Sequence, residues 1–449
     1  TMKKNTFVSR KLLIIICLFF GVFSSSMAQK YDLNTFKFRY QNYKFLNLYF
    51  NTSSNKNYNN SSLNSYNYNS SGISFQGNAA YQRSVSSDKF QILENLNYST
   101  KFSRSSLKLQ NINLDSAQRN FSFSNYLSYS YSKTKYLKNL KFYVFEGGLT
   151  SDLNKKRQPY LTKDNGGSQF VNLGLGKGRI EDVSDAVTAI FIAKEFLKKN
   201  LTTQMDSNKL ENLAKGIVEV RNKRFLDDNR FRYIDQITYL DSVCKEMGIK
   251  PINPLVFYNI LYDNLIFTPS YVRESGKKFT IKGGLANSNA FENNYNEEFF
   301  TKVSRYNFNF STQYKFSKQI NEYMQKSHQL NLSYFHKFDS YRIIDDVENS
   351  SITNRFSFDY NFNFIYQPST RTVLNIDLPL SLVLWKQQEQ TAFQKSLNIP
   401  FTANGTYFLS RKTNLFATLS LNFTKNYFYD YKFNSLNNYL QTGISHLIF

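Results

Sequence analysis

The feature that most constrains this chain is a period-two alternation of large apolar and small polar residues, sustained over unusually long stretches. From Phe121 to Tyr131 the odd positions carry Phe121, Phe123, Leu127, Tyr129 and Tyr131, while the even positions are mostly serine. The same rhythm runs through Tyr306, Phe308 and Phe310 with Asn307 and Asn309 between them. It returns in Phe356, Phe358, Tyr360, Phe362 and Phe364 with Ser357, Asp359, Asn361 and Asn363 between them. Successive side chains of an extended strand point to opposite faces, so each stretch has one apolar face and one wet face. The run Leu374, Ile376, Leu378, Leu380, Leu382 and Leu384 is longer than most strands of a soluble sandwich and suits a tilted strand that crosses a bilayer, which needs about 9–11 residues. With 43 Phe and 33 Tyr against 17 Gly and 7 Pro in 449 residues, disorder and collagen-like fibres are excluded. Two cysteines exclude a disulfide scaffold.

The alternation predicts strands near 42–50, 70–84, 89–103, 118–131, 135–148, 168–177, 277–286, 299–314, 327–339, 352–367, 371–385, 398–409, 412–424 and 434–449. That is about 14 strands, within a range of 12 to 16, six before a helical segment and eight after it. An open sheet edge has no hydrogen-bond partner in lipid, so the expected fold is an all-β transmembrane antiparallel β-barrel closed by an even number of strands. Short links at 85–88, 132–134, 368–370 and 410–411 alternate with longer ones at 51–69, 104–117, 149–167, 287–298, 340–351, 386–397 and 425–433. A chain entering from the periplasm would put every long loop outside the cell. The link 315–326 should be a short turn and is not tight in the sequence. A secreted all-β solenoid or sandwich would need neither the lipid-length strands nor this loop rhythm.

Residues 1–28 read as a cleaved signal peptide. Lys3, Lys4, Arg10 and Lys11 precede the apolar run Leu12 to Phe20, and Ser26-Met27-Ala28 offers a small-x-small cleavage site. The run is too short to span as an anchor, and Ile14-Ile15-Ile16-Cys17 does not fit a lipobox. Cleavage leaves Cys244 as the single cysteine. The remaining boundaries follow the change of pattern: a first part of the β-barrel over 29–178, a periplasmic α-helical insert over 179–270, and a second part of the β-barrel over 271–449.

In the insert the period switches to 3.6. Val183, Ala186, Val187, Ile190, Phe191, Lys194 and Leu197 share one face, with Asp182 as the expected cap. Leu210, Leu213, Ala214, Ile217 and Val220 form a second face, and Ile237, Leu240, Val243, Cys244 and Met247 a third that ends at Gly248. Val256 to Leu265 is a fourth apolar stretch, expected to return the chain toward the membrane interface. An even strand count before the insert places it in the periplasm. Arg221, Lys223, Arg224, Arg230 and Arg232 concentrate charge there as candidate contacts for an envelope partner, against the alternative of a self-paired helix junction with Asp227 and Asp228. Gly174, Gly176 and Gly178 lack the Gly-Lys-Ser/Thr order of a phosphate loop and read as a tapering strand leading into the first helix.

The alternating strands, the loop rhythm and the final Leu447-Ile448-Phe449 together resemble Gram-negative outer-membrane β-barrel proteins, and the Phe/Tyr/Asn-heavy style looks like those of Bacteroidota. The resemblance covers roughly 30–178 and 270–449. It implies an outer-membrane location, contact with outer-membrane lipids and lipopolysaccharide, and recognition of Phe449 by the barrel assembly machinery. The last strand departs from the family pattern: Tyr439, Gln441, Gly443 and Ser445 are no more lipid-like than Leu440, Thr442, Ile444 and His446.

Reactive chemistry is sparse. His328, His336 and His446 form no short-range ligand pattern, so no metal, no cofactor and no catalytic residue is assigned, and the chain is not read as an enzyme. Asp359 and Asp377 fall on polar strand faces and, with Arg355 and Arg371, are the lumen candidates. The formal charge of +23 would by itself suggest a nucleic-acid partner. Removing the leader leaves +19, of which the Arg179–Lys250 segment carries only +1, so the excess belongs to the strands and loops. Its counterparts there are lipopolysaccharide phosphates or lumenal anions rather than nucleic acid. Two functions follow: a porin-like channel or transporter for small solutes, favouring anions, or an accessory subunit that docks on an outer-membrane complex through its helices and loops.

Overall fold

Fourteen antiparallel strands follow one another in a single sheet in the computed structural model. It describes residues 32–446 apart from 35, 37–40, 61–66, 112–113, 158–160, 203–204, 223–229, 250–252, 267–271, 295–298, 344–348, 389–392, 411–412 and 428–431. The strands are β1 (Gln41–Asn60), β2 (Asn67–Ser86), β3 (Phe90–Asn111), β4 (Leu114–Tyr136), β5 (Lys141–Arg157) and β6 (Leu161–Asp182). After the helices come β7 (Glu274–Asn294), β8 (Phe299–Gln319), β9 (Met324–Ile343), β10 (Asn349–Ser369), β11 (Thr372–Gln387), β12 (Gln394–Phe408), β13 (Thr413–Tyr427) and β14 (Lys432–His446). Each pairs with its neighbours in sequence, and β6 pairs with β7 across the helical segment. The signal peptide expected at 1–28 and the terminal Phe449 lie outside the described residues.

The strands outrun the alternation that reveals them. At 15 to 23 residues and about 3.3 Å per residue they extend roughly 50–75 Å, well beyond a hydrocarbon core of about 30 Å. Much of the expected long loops at 51–69, 104–117 and 149–167 is therefore strand. The backbone ladder needs no apolar side chains to continue, and serines support it, as in the Ser53–Ser74 (2.7 Å) and Ser71–Ser106 (2.8 Å) pairs. The awkward 315–326 link resolves in the same way: β8 runs on to Gln319, β9 starts at Met324, and Ile320 N–H donates to Met324 O at 2.8 Å across the turn.

The expectation of a closed barrel is not met. Strand β1 pairs with β2 and β14 with β13, but β1 and β14 do not pair with each other, so the sheet is open between its first and last strands. The physical reason lies in β14. Register is firmly specified only where one face is distinctly apolar, and both faces of β14 mix polar and apolar residues. Its pairing with β13 puts Leu436, Leu440 and Ile444 on the convex side, where they are strongly exposed, and Tyr439 and Gln441 on the concave side, exposed as well.

The sheet is nevertheless strongly curled. Strands β2 and β6 would lie about 19 Å apart in a flat sheet at ~4.8 Å per strand, yet Arg179 of β6 donates to Ser87 O (2.7 Å) and Ser86 Oγ (2.8 Å) at the end of β2. Aromatic and aliphatic side chains cover the convex face, with Phe358 directly opposite Leu332 and Leu382. Hydroxyls and amides line the concave face, as in Ser103–Ser122 (2.6 Å) and Thr150–Ser168 (2.7 Å).

Four helices stand between β6 and β7: α1 (Ser184–Lys198), α2 (Ser207–Asn222), α3 (Arg230–Glu246) and α4 (Pro254–Ile266). Among the described residues none is long and apolar enough to cross a membrane. Local signals set their ends. Asp206 caps α2 by accepting the Lys209 N–H at 2.7 Å, and Asn253 precedes Pro254 at the first position of α4 and accepts the Val256 N–H at 3.3 Å. Gly248, at φ +77°, ends α3 while Ile249 N–H returns to Cys244 O at 2.9 Å. Phe196, Leu210, Leu213, Ile217, Leu240, Phe257 and Leu261 form a dry core, with Phe196 and Phe257 stacked at 4.9 Å. Helix α1 is buried on almost every side, and Leu197, expected on the buried face, is exposed. A helix sandwiched between its partners and the sheet's turns has no single wet face.

Candidate functional site

The helices form a cap over the short-turn end of the sheet, held by polar contacts to several turns. Lys194 of α1 forms an ion pair with Glu322, donates to Tyr323 Oη at 2.8 Å and lies 4.4 Å from the Tyr323 ring centre. Arg371, in the β10–β11 turn, meets Asp263 of α4 at 2.9 Å. Arg273, just before β7, is completely buried. Its guanidinium donates to Gln319 Oε1 (2.5 and 3.1 Å), Gln367 Oε1 (3.3 Å) and the carbonyls of Asn321 (3.5 Å) and Glu322 (3.4 Å). Burial pulls it down from the ordinary arginine value. These contacts join the cap to the ends of β7, β8 and β10.

Where the chain leaves the sheet for the helices and returns from them lies a chamber of about 560 Å³. Gln82, Ser84, Gln91, Ser132 and Thr134 line it from β2–β4, and Asp182, Glu274 and Lys278 face them from β6 and β7. The two walls approach because β6 turns sharply at Gly178, whose φ of +95° is a left-handed conformation. A Cβ there would sit 2.1 Å from Lys277 O. Beyond this bend Arg179 swings over the Tyr136 ring, 4.6 Å from its centre, and holds the β2–β3 turn. Glu274 is bound by Lys315 and Ser317, and Asp182 accepts the N–H and hydroxyl of Ser184 at 2.9 and 2.6 Å. Lys278 lies 4.9 Å from the centre of the Phe142 ring and forms no ion pair among the described residues. Val85, Ile92, Leu93, Ile180 and Val272 complete the lining, so the chamber offers one amine, two carboxylates already bound by neighbours, and a wall that mixes hydroxyls and amides with aliphatic side chains.

The lumen candidates are separated by the fold. Asp359 accepts hydrogen bonds from Ser357 (3.1 Å) and Ser381 (2.6 Å), and Asp377 takes the Asn363 amide (2.6 Å) and that of Asn375. Both belong to hydrogen-bonded ladders on the concave face. Arg355 stands on the same face of β10 and is exposed, whereas Arg371 lies in a turn and serves the cap. Of the partner-contact candidates, Arg221 forms a buried ion pair with Asp185. Lys223 and Arg224 lie outside the described residues, and Arg230 and Arg232 fall in the first turn of α3. Sequence reading missed the chamber residues, although their signal was present: each wall residue follows its strand's polar phase close to a short turn. What places them opposite one another, the bend at Gly178, was read only as a tapering strand.

No family model matches the chain, and no curated protein matches it. Among solved structures it is similar to the β domain of the Bordetella autotransporter BrkA at 6% identity and a TM-score of 0.24, covering 91% of this chain and 99% of that one. It is similar to the alcaligin outer-membrane receptor FauA from Bordetella pertussis at 6% identity and a TM-score of 0.29, covering 87% and 62%. A bacterial polysaccharide outer-membrane secretin aligns at 6% identity and a TM-score of 0.26, covering 85% and 98%. At such scores these likenesses assign neither family nor function.

Proposed function

We propose that this chain is an outer-membrane protein that passes small polar solutes along the concave face of its sheet, with the helical cap as the gate on the periplasmic side. The chamber carries this reading: it opens among the concave-face side chains of β2–β4 and holds Lys278 at the point where the chain departs for the helices. Strands longer than a bilayer is thick, clothed in Phe, Tyr and Leu on their convex side, support the membrane location. The strands on either side of the helices would form the sheet in the membrane, and the helices the periplasmic cap. Anion preference draws on Lys278 and on the exposed Arg355 of the same face, whereas Lys282, Lys315 and Arg305 there already pair with Glu146, Glu274 and Asp339. No catalytic step is assigned.

Solute flux into proteoliposomes tests the gate. The wild-type protein should leak slowly, and Lys194→Ser combined with Arg371→Ser, which frees the cap from two turns, should raise the flux several-fold. Silence in both proteins would overturn the transport reading. The accessory-subunit alternative draws on the exposed α4 stripe of Leu255, Tyr258 and Tyr262, and a stoichiometric envelope partner retained by a flux-silent protein would favour it.

A further inference from the structure

Five residues form one row across the concave face of β8–β12. Asn309 is the direct ladder partner of Phe335, Phe335 of Arg355, Arg355 of Trp385, and Trp385 of Gln394. Direct partners project to the same side of a sheet, so the order across the row is amide, ring, guanidinium, ring, amide. The two rings stand two strand spacings apart, about 10 Å. They also break a polar phase: from Gln325 to Asp339 the concave positions of β9 read Gln, Ser, Gln, Asn and Ser before Phe335, then Lys and Asp. Trp385 is the single tryptophan of the chain. Arg355 is exposed and the other four residues are half-buried, so every member of the row keeps surface that a ligand can reach. Rings left partly open on a wet face gain burial only when something covers them.

Charge gives the second, independent observation. On the long-loop side of the row Arg305 and Lys337 share one carboxylate, Asp339, at 3.4 and 2.6 Å. Arg355 forms no ion pair among the described residues. On the short-turn side Ser333 and Ser357 are bonded at 2.5 Å and Ser357 donates to Asp359, so the next carboxylate along this face is already held. Three cations against Asp339 leave the row positive. A guanidinium takes a carboxylate through two parallel N–H bonds, and side-chain amides both donate to and accept from hydroxyls. A carboxylate, hydroxyls and apolar ring faces occur together in an acidic saccharide. The fourteen residues from Arg355 to Ser369 put roughly 45 Å, at about 3.3 Å per residue, between the row and the short-turn end of β10. The row is therefore a site apart from the chamber, near the outer end of the concave face.

We propose that this row is the recognition subsite of the solute path and takes an acidic saccharide, with its carboxylate on Arg355, its ring faces on Phe335 and Trp385, and its hydroxyls on Asn309 and Gln394. The inference rests on the concave-face path proposed above and names its substrate class. The single tryptophan makes the test direct: Trp385 emission of the full-length protein in detergent is titrated with digalacturonate, its neutral dimethyl ester, benzoate and inorganic phosphate. Digalacturonate should change the emission and saturate, and the ester should bind about tenfold more weakly or worse. Arg355→Gln should weaken digalacturonate by a similar factor, the loss of hydrogen bonds to a charged group, and Phe335→Ala should weaken it several-fold. The ester comparison uses the wild-type protein and does not depend on how a variant folds. No response to digalacturonate, equal binding of the ester, or an equal response to benzoate or phosphate would each overturn the proposal. Saturable binding in detergent without flux in proteoliposomes would sink the transport reading and leave this site standing, whereas flux that treats digalacturonate and its ester alike would do the reverse.

Discussion

The sheet and the cap solve opposite problems with one chain. In the cap, Phe196, Leu213 and Phe257 are turned inward and solvent meets Lys, Glu and Asn, the ordinary arrangement for a domain in water. In the sheet, Phe310, Phe358 and Leu285 are turned outward and the concave side holds serine, asparagine and paired charges. The same residue types thus occupy inverted positions within one fold. On the proposed membrane location the inversion matches each part to its medium, with water around the helices and hydrocarbon around the middle of the strands.

Four measurements would break or sharpen this contrast. The largest effect is expected from Leu213→Asp, which places an unpaired carboxylate in the dry core of the cap. The helices should lose their packing while the strands keep their circular-dichroism signal. Cys244 reports this directly: burial pushes its thiol up to about 12, so a maleimide reagent at pH 7.5 should label it only when the cap opens. Rapid labelling of the wild-type protein would contradict the packed cap. Next comes Phe196→Ala, expected to cost about 3–5 kcal/mol, against less than about 1 kcal/mol for Phe310→Ala on the convex face in detergent. Equal costs for the two would remove the distinction between inward and outward aromatics.

Smaller effects test the seam. The Arg371–Asp263 pair is partly exposed, so a double-mutant cycle should return about 0.2–1 kcal/mol. Smallest is Glu195→Gln. Burial raises the Glu195 carboxyl above its ordinary value, although the Asn264 amide at 3.3 Å partly offsets this. An acid whose pKa is raised by folding is best tolerated when protonated, so its contribution is fully present below the unfolded carboxylate pKa and is lost as pH rises through the folded one. The Gln variant should therefore equal or exceed wild type in cap stability at pH 7–8, with the difference closing in acid. A wild-type cap that gains stability from pH 5 to 8 relative to the variant would reverse the sign.

What could be read in advance follows the same division. Phe356, Phe358 and Tyr360 mark a strand because alternation is a local property, and Leu210, Leu213 and Ile217 mark a helix for the same reason. Where β1 ends was illegible, because its Ser/Asn-rich extension carries hydrogen bonds without any apolar signature. Closure was inferred from the needs of a bilayer edge, yet nothing in the two-faced pattern of β14 fixes a partner for it. Alternation alone puts Asp359 and Asp377 on polar strand faces, but their partners are cross-strand hydroxyls and amides whose identity depends on register. The role of Arg371 depended on a helix more than a hundred residues away, and the chamber on two positive-φ glycines, Gly178 and Gly276, in neighbouring strands.

The pairing of β6 with β7 has one more consequence. Asp182 and Glu274 are direct ladder partners, so the chain leaves the sheet and returns to it at neighbouring backbone positions. Residues 183–273 therefore enter and leave the sheet at one place. A tight turn joining Asp182 to Glu274 would preserve the order of the meander, while the loss of Arg273 would leave Gln319 and Gln367 at the ends of β8 and β10 without its guanidinium.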